Sequence, residues 1–177
     1  MNIYRILLIL AFSFAFAESK AETKELDGYG KTNWEMSESK VMEVESERIK
    51  KMELPDVIDH LIGSLQIDDI EIAGQKFNAI LYFDNQTNKL ARVNITPKVE
   101  TGPRMDAFMY GEISELLTGK YGPPTHKNDD NLGYSYSASW LLTKTQITLR
   151  HITIYNTSAL TINYEPAQAG VDAAKDL

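Results

Sequence analysis

The chain has 177 residues, no cysteine, 43% hydrophobic residues and a formal net charge of −7, with a sequence pI near 5.0. An acidic surface repels phosphate backbones and anionic lipid, so neither nucleic acid nor a membrane surface is an expected partner. Without cysteine there is no disulfide framework and no thiol to carry a lipid anchor, so a packed core must supply the stability.

Met1 to Arg5 carry one basic side chain, and residues 6–17 (ILLILAFSFAFA) are apolar or small, ending in Ala15-Phe16-Ala17. That order is a secretory signal peptide, and its apolar run is too short for the roughly 20 residues of a membrane-spanning helix. Cleavage is expected after Ala17, with Ala21 the second choice, and releases about 160 residues, the size of one domain. Export without cysteine points to a bacterial periplasm. The sequons at Asn85, Asn94 and Asn156 matter only in a eukaryotic pathway.

Residues 18–31 are polar and acidic and read as a mobile mature terminus. Ser37 is placed to cap a helix starting at Glu38, and Val41, Val44, Arg48 or Ile49, and Met52 recur at helical spacing opposite Glu43, Glu47, Lys50 and Lys51. Pro55 interrupts, and 56–65 is read as a short second helical turn. From Ile67 the period changes to two: Ile70/Ile72, then Phe77/Ala79/Leu81/Phe83, then Ala91/Val93/Ile95, separated by Gly, Asn and Asp turns. Residues 106–121 form the clearest helix, with Met109, Ile113, Leu116 and Leu117 as its stripe and Gly122-Pro123-Pro124 as its stop. Residues 126–133 read as a polar loop, followed by strands over 134–142, 146–155 and 159–164 and a loosely ordered tail over 167–177.

This predicts an α+β fold in one domain over 32–166. Its half-repeats, about 32–100 and 103–166, are two pseudo-repeats of a helix followed by a three-stranded antiparallel meander, with the helices packed on one face of the sheet.

Chemistry-bearing motifs are sparse. On a helix Asp56 and His60 would share a face, but structural zinc needs four ligands and no others are near. His126 falls with Asp129 and Asp130, and His151 beside Arg150, without metal-site spacing. Residues 84–88 and 128–131 are rich in oxygen ligands yet lack the glycine and glutamate of a calcium loop, so they read as turns. Gly28-Tyr29-Gly30-Lys31 lacks the strand and frame of a phosphate loop. No nucleophile elbow is present, and a Ser–His–Asp set would have to assemble in three dimensions. No metal or other cofactor is expected.

Tyr134, Tyr136 and Trp140 alternate with Ser135, Ser137 and Ser139. With one face entirely serine, the aromatic side is expected to pack on Met109, Ile113 and Leu117. The serine side, with Thr148, Arg150, Thr161 and Asn163, becomes the recognition candidate. Ser135, Ser137, Ser139 and Arg150, together with Tyr136 and Trp140 as aromatic anchors, are the candidate binding residues.

Trp34-x-Met36-Ser37-x-x-x-Val41 ahead of a meander, and Lys120-Tyr121-Gly122-Pro123 closing the second helix, resemble the small lipoprotein family of the outer-membrane barrel-assembly machine. They also resemble the beta-lactamase-inhibitor-protein fold, which holds two tandem copies of such a unit. The likeness spans most of Tyr29 to Pro166 but departs from the lipoproteins in having no cysteine. It implies a binding or scaffold role in the cell envelope and transfers no functional residue. The expected function is therefore non-catalytic: binding another envelope or secreted protein as an inhibitor, immunity protein or assembly accessory. A small-ligand carrier with an apolar pocket between helix and sheet is the alternative, and a hydrolase the third reading.

Overall fold

Alternation of apolar and polar side chains governs most of this chain, and it builds more sheet than the sequence pattern predicts. The computed structural model describes residues 26–129 and 134–168; the leader with its cleavage sites, the segment up to residue 25, residues 130–133 and most of the predicted tail lie outside them. Helix α1 (Glu38–Val44) is followed by β1 (Ile49–Ile58), β2 (Leu61–Ile72), β3 (Gln75–Asp84) and β4 (Leu90–Pro97). Helix α2 (Pro103–Tyr121) is followed by β5 (His126–Asp129), β6 (Ser135–Leu141), β7 (Thr145–Ile154) and β8 (Thr157–Pro166). All eight strands form one antiparallel sheet in the order β1-β2-β3-β4-β8-β7-β6-β5, joined at its centre by Val93↔Tyr164 and Ile95↔Ile162.

The α+β expectation of two helix-plus-three-strand repeats is therefore wrong: the protein is mostly β, a single eight-stranded sheet with two helices. The two strands missing from the sequence reading, β1 and β5, are the two edges. β5 is exposed throughout, and β1 part-buries only Ile49 and Met52, so neither carries the period-2 signal that burial imposes on central strands. The spacing of Ile49 and Met52 imitated a helix. Pro55 falls where β1 shifts register between Lys51 and Asp56, the kind of edge irregularity in which a proline forfeits no ladder bond. Helix α1 is correspondingly short. Ser37 stands at its N-cap, but its hydroxyl pairs with Ser39 Oγ at 3.1 Å rather than capping a backbone N–H.

The core lies on one sheet face. Leu65, Ile67, Ala79, Leu81, Val93, Ile95, Ile162, Leu149, Ala138 and Trp140 are buried there, and α2 lays Met109, Ile113 and Leu117 across β7 and β8. Leu116, one residue (about 100°) from Leu117, falls outside that stripe and is 55% exposed. Trp34 and Val41 close the other end of the core. Leu26 and Gly28 are tied to β7 through Thr145 Oγ1, which donates to Leu26 O at 2.7 Å and accepts from Gly28 N at 3.3 Å and Trp34 Nε1 at 3.0 Å. The β2–β3 hairpin turns on Ala73 (φ 50) and Gly74 (φ 72), the two left-handed residues of a tight type I′ connection.

Candidate functional site

Because successive strand residues face opposite ways, burying Ala138 and Trp140 puts Ser135, Ser137 and Ser139 on the other face. Register extends that row across the sheet. Ser137 lies opposite Arg150, which lies opposite Thr161; Ser139 opposes Thr148, Thr148 opposes Asn163, and Asn163 opposes Asn94. Cross-strand bonds hold the row in place: Ser139 Oγ to Thr148 Oγ1 at 3.3 Å, Asn94 Nδ2 donating to Asn163 Oδ1 at 2.8 Å, and Arg92 Nε donating to Glu165 Oε1 at 2.5 Å. Both helices send their buried residues to the opposite face, so these side chains stay partly in water. Arg150 is exposed at the centre of the row and has no carboxylate partner among the described residues.

Of the six candidate binding residues the structure thus brings four together, Ser135, Ser137, Ser139 and Arg150. It separates Tyr136 and Trp140 from them. Trp140 is 1% exposed, with Nε1 donating to Gly122 O at 3.0 Å, and offers no surface to a partner. Tyr136 stacks on His151 (5.6 Å between centroids, 21° between planes) and lies 5.6 Å from the Tyr110 ring.

The core side hides a polar cluster that spacing could not reveal. Asp106, in the first turn of α2, is buried and accepts hydrogen bonds from Thr101 Oγ1 and from Ser158 Oγ, the latter at 2.5 Å. His151 is buried nearby on β7. An aspartate, a histidine and a serine therefore do converge, but not in the order a charge-assisted nucleophile requires. Ser158 donates straight to the carboxylate, while His151 Nε2 is paired with Thr153 Oγ1 at 3.3 Å and Nδ1 has no partner among the described residues. A triad needs the imidazole between the other two.

Burial holds the His151 imidazole below its ordinary pKa, and the Asp106 carboxylate only partly opposes this. The unfolded chain therefore takes up this proton more readily, and stability is expected to decline as pH falls through about 6.5, where a free histidine charges. His151→Phe, which keeps the stacking on Tyr136, should flatten the urea midpoint between pH 7 and pH 5. An unchanged slope in that variant would mean that other groups set it.

The remaining chemical candidates disperse. Asp56 lies on β1 and accepts the Tyr82 hydroxyl at 2.6 Å, whereas His60 sits in the β1–β2 turn with Nε2 3.8 Å from Asp84 Oδ2, so no shared helical face exists. Burial and the adjacent Asp56 carboxylate push the Tyr82 hydroxyl far above its usual range. Asp84 Oδ1 accepts Gln86 N, Thr87 N and Thr87 Oγ1, the self-satisfied turn of a polar loop. Among the described residues no three His, Asp or Glu side chains gather into a metal-sized site.

No family model, curated protein or solved structure matches this chain. The resemblance to barrel-assembly lipoproteins and to beta-lactamase-inhibitor proteins accordingly adds no argument beyond the short motifs that prompted it.

Proposed function

We propose that the protein is an exported, non-catalytic binding protein whose open sheet face engages another protein of the cell envelope, with a carboxylate of that partner meeting Arg150. The supporting observation is Arg150 itself. It is an exposed guanidinium without an ion-pair partner among the described residues, flanked by Ser137, Thr148 and Thr161 in an acidic chain. Arginine presents five donors in a planar fork suited to a carboxylate, and hydroxyl and amide side chains around it supply adaptable hydrogen bonds. A rigid sheet spends little conformational entropy in offering them.

Site-specific photo-crosslinking in intact cells tests this. A probe at Ser139 should give one discrete adduct in the exported fraction, on a chain beginning at Glu18. A probe at the exposed Glu112 of α2 should not, and Arg150→Glu should reduce the Ser139 adduct at least about tenfold, as expected for reversing a charge at an interface. Equal yields from both probes, or an adduct indifferent to Arg150→Glu, would remove the sheet face from the reading.

A further inference from the structure

A second candidate site lies on the opposite, helix-bearing side. Tyr29 and Gly30, the end of α2 at Lys120 and Tyr121, Arg48 before β1, and Tyr164 of β8 enclose a cavity of about 290 Å³. Among the described residues its wall contains three phenols and two cations and no carboxylate, an inversion of the chain's overall acidity.

The charges can be counted. Glu45 is buried directly behind Arg48, and its two carboxylate oxygens accept Arg48 Nε at 2.7 Å and Nη2 at 2.8 Å, with Lys31 N also donating at 2.7 Å. Arg48 is therefore neutralised as a charge while keeping donors to spare. Lys120 has no carboxylate partner among the described residues; its Nζ lies 4.9 Å from the Tyr121 ring centroid. The cavity thus carries about one uncompensated positive charge, which suits a monoanion better than a doubly charged phosphate.

The remaining surface is aromatic. Tyr29 meets Tyr164 edge-on at 5.2 Å between centroids; burial raises the pKa of both, the Tyr164 hydroxyl is engaged with Tyr121, and the Tyr29 hydroxyl beside Arg48 is the phenol left to donate to an anion. Gly28, Tyr29 and Gly30 of the Gly28-Tyr29-Gly30-Lys31 segment, unsuited to a phosphate loop, form part of the cavity wall. Gly30 has φ +63, a conformation that favours glycine, and a Cβ there would come within 2.3 Å of Arg48 Nη2 and 2.5 Å of Glu45 Oε1, so a side chain at this position would displace the Arg48–Glu45 pair beneath the cavity. The volume, near the lower end of the roughly 300–1,000 Å³ of ligand sites, holds a single ring with one substituent.

We propose that this cavity binds a small aromatic carboxylate, its anion between Lys120 and Arg48 and its ring against the tyrosines. This is independent of the sheet face bearing Arg150. Titration of the mature protein with benzoate and 4-hydroxybenzoate, followed by ¹H–¹⁵N NMR, should give saturable shifts at Gly28, Gly30 and Tyr121, whereas benzylamine should give none. Lys120→Met, a change at an exposed side chain, should weaken binding at least about tenfold while leaving the urea midpoint in place. The proposal is overturned if neither carboxylate saturates in the millimolar range, if benzylamine binds as well, if inorganic phosphate binds more tightly, or if Lys120→Met binds like the parent.

Discussion

Trp140→Ala should be the most damaging single truncation in the sheet, with an expected loss of about 3–5 kcal/mol of folding stability. The indole is 1% exposed, shares the core with Met109, Ile113 and Leu117 of α2, and anchors the end of that helix by donating to Gly122 O at 3.0 Å. Its removal leaves a void beneath the helix C-terminus and strips Gly122 O of that donor. Against a typical total of about 5–15 kcal/mol, such a loss is a large fraction of what holds the domain together. Trp140→Phe retains most of the ring volume and forfeits the hydrogen bond, so it should fall between parent and alanine. Urea unfolding followed by far-UV circular dichroism measures both; a Trp140→Ala midpoint within experimental error of the parent would show that the indole is not a core residue.

Arg48→Leu should be the next largest, at about 2–4 kcal/mol near neutral pH, because it strands a buried carboxylate. The Glu45 side chain is 1% exposed and the Arg48 side chain 40%, so water softens the loss without abolishing it. Burial alone would raise the Glu45 pKa, but the Arg48 guanidinium, helped by Lys31 N, outweighs it and holds the carboxyl below its ordinary value. In the parent this contribution is present above the ordinary carboxyl pKa near 4.3 and is lost as pH falls through the lower, folded value. In Arg48→Leu the pairing is gone and burial dominates, so Glu45 becomes easier to protonate and the deficit relative to the parent should shrink on acidification. Stability curves of the two proteins at pH 7 and pH 4.5 check this. A gap that stays constant or widens toward acid would mean that Glu45 is not the group left unpaired.

Legibility in the sequence followed burial. Helix α2 and strands β3, β4, β7 and β8 stand near their predicted positions, because each presents one face to the core and the alternation, or the stripe of Met109, Ile113 and Leu117, records it. On β6 the same rule holds for Ala138 and Trp140, which are buried while Ser137 and Ser139 face the other way, but of the aromatics expected beside them Tyr136 is only part-buried and Tyr134 is 55% exposed. Where burial is absent the pattern is absent too. The edge strands β1 and β5 carry the pattern of a helix and of a polar loop, which is why the sequence pattern points to two small repeats and the structure to one eight-stranded sheet. The same limit applies to sites. The row of Ser137, Ser139, Thr148, Arg150 and Asn163 could be proposed because it is the polar half of an alternation. The Asp106–Ser158 cluster and the tyrosine cavity could not, since Asp106 and Ser158, or Tyr29 and Tyr164, come from distant stretches with no periodic relation.

Composition and local periodicity determined that this is a thiol-free acidic chain whose central strands and long helix share one apolar side. They also located the turns, since residues such as Gly74 and Asp84 act on their own backbone. Only the tertiary structure decided that β4 pairs with β8 and so fuses eight strands into one sheet, that Arg150 has no ion-pair partner among the described residues on its open face, and that two glycines, three tyrosines and two cations converge on the helix-bearing side. Pairings between segments tens of residues apart depend on which surfaces remain to be buried once the whole chain has collapsed, a quantity no local window of residues contains.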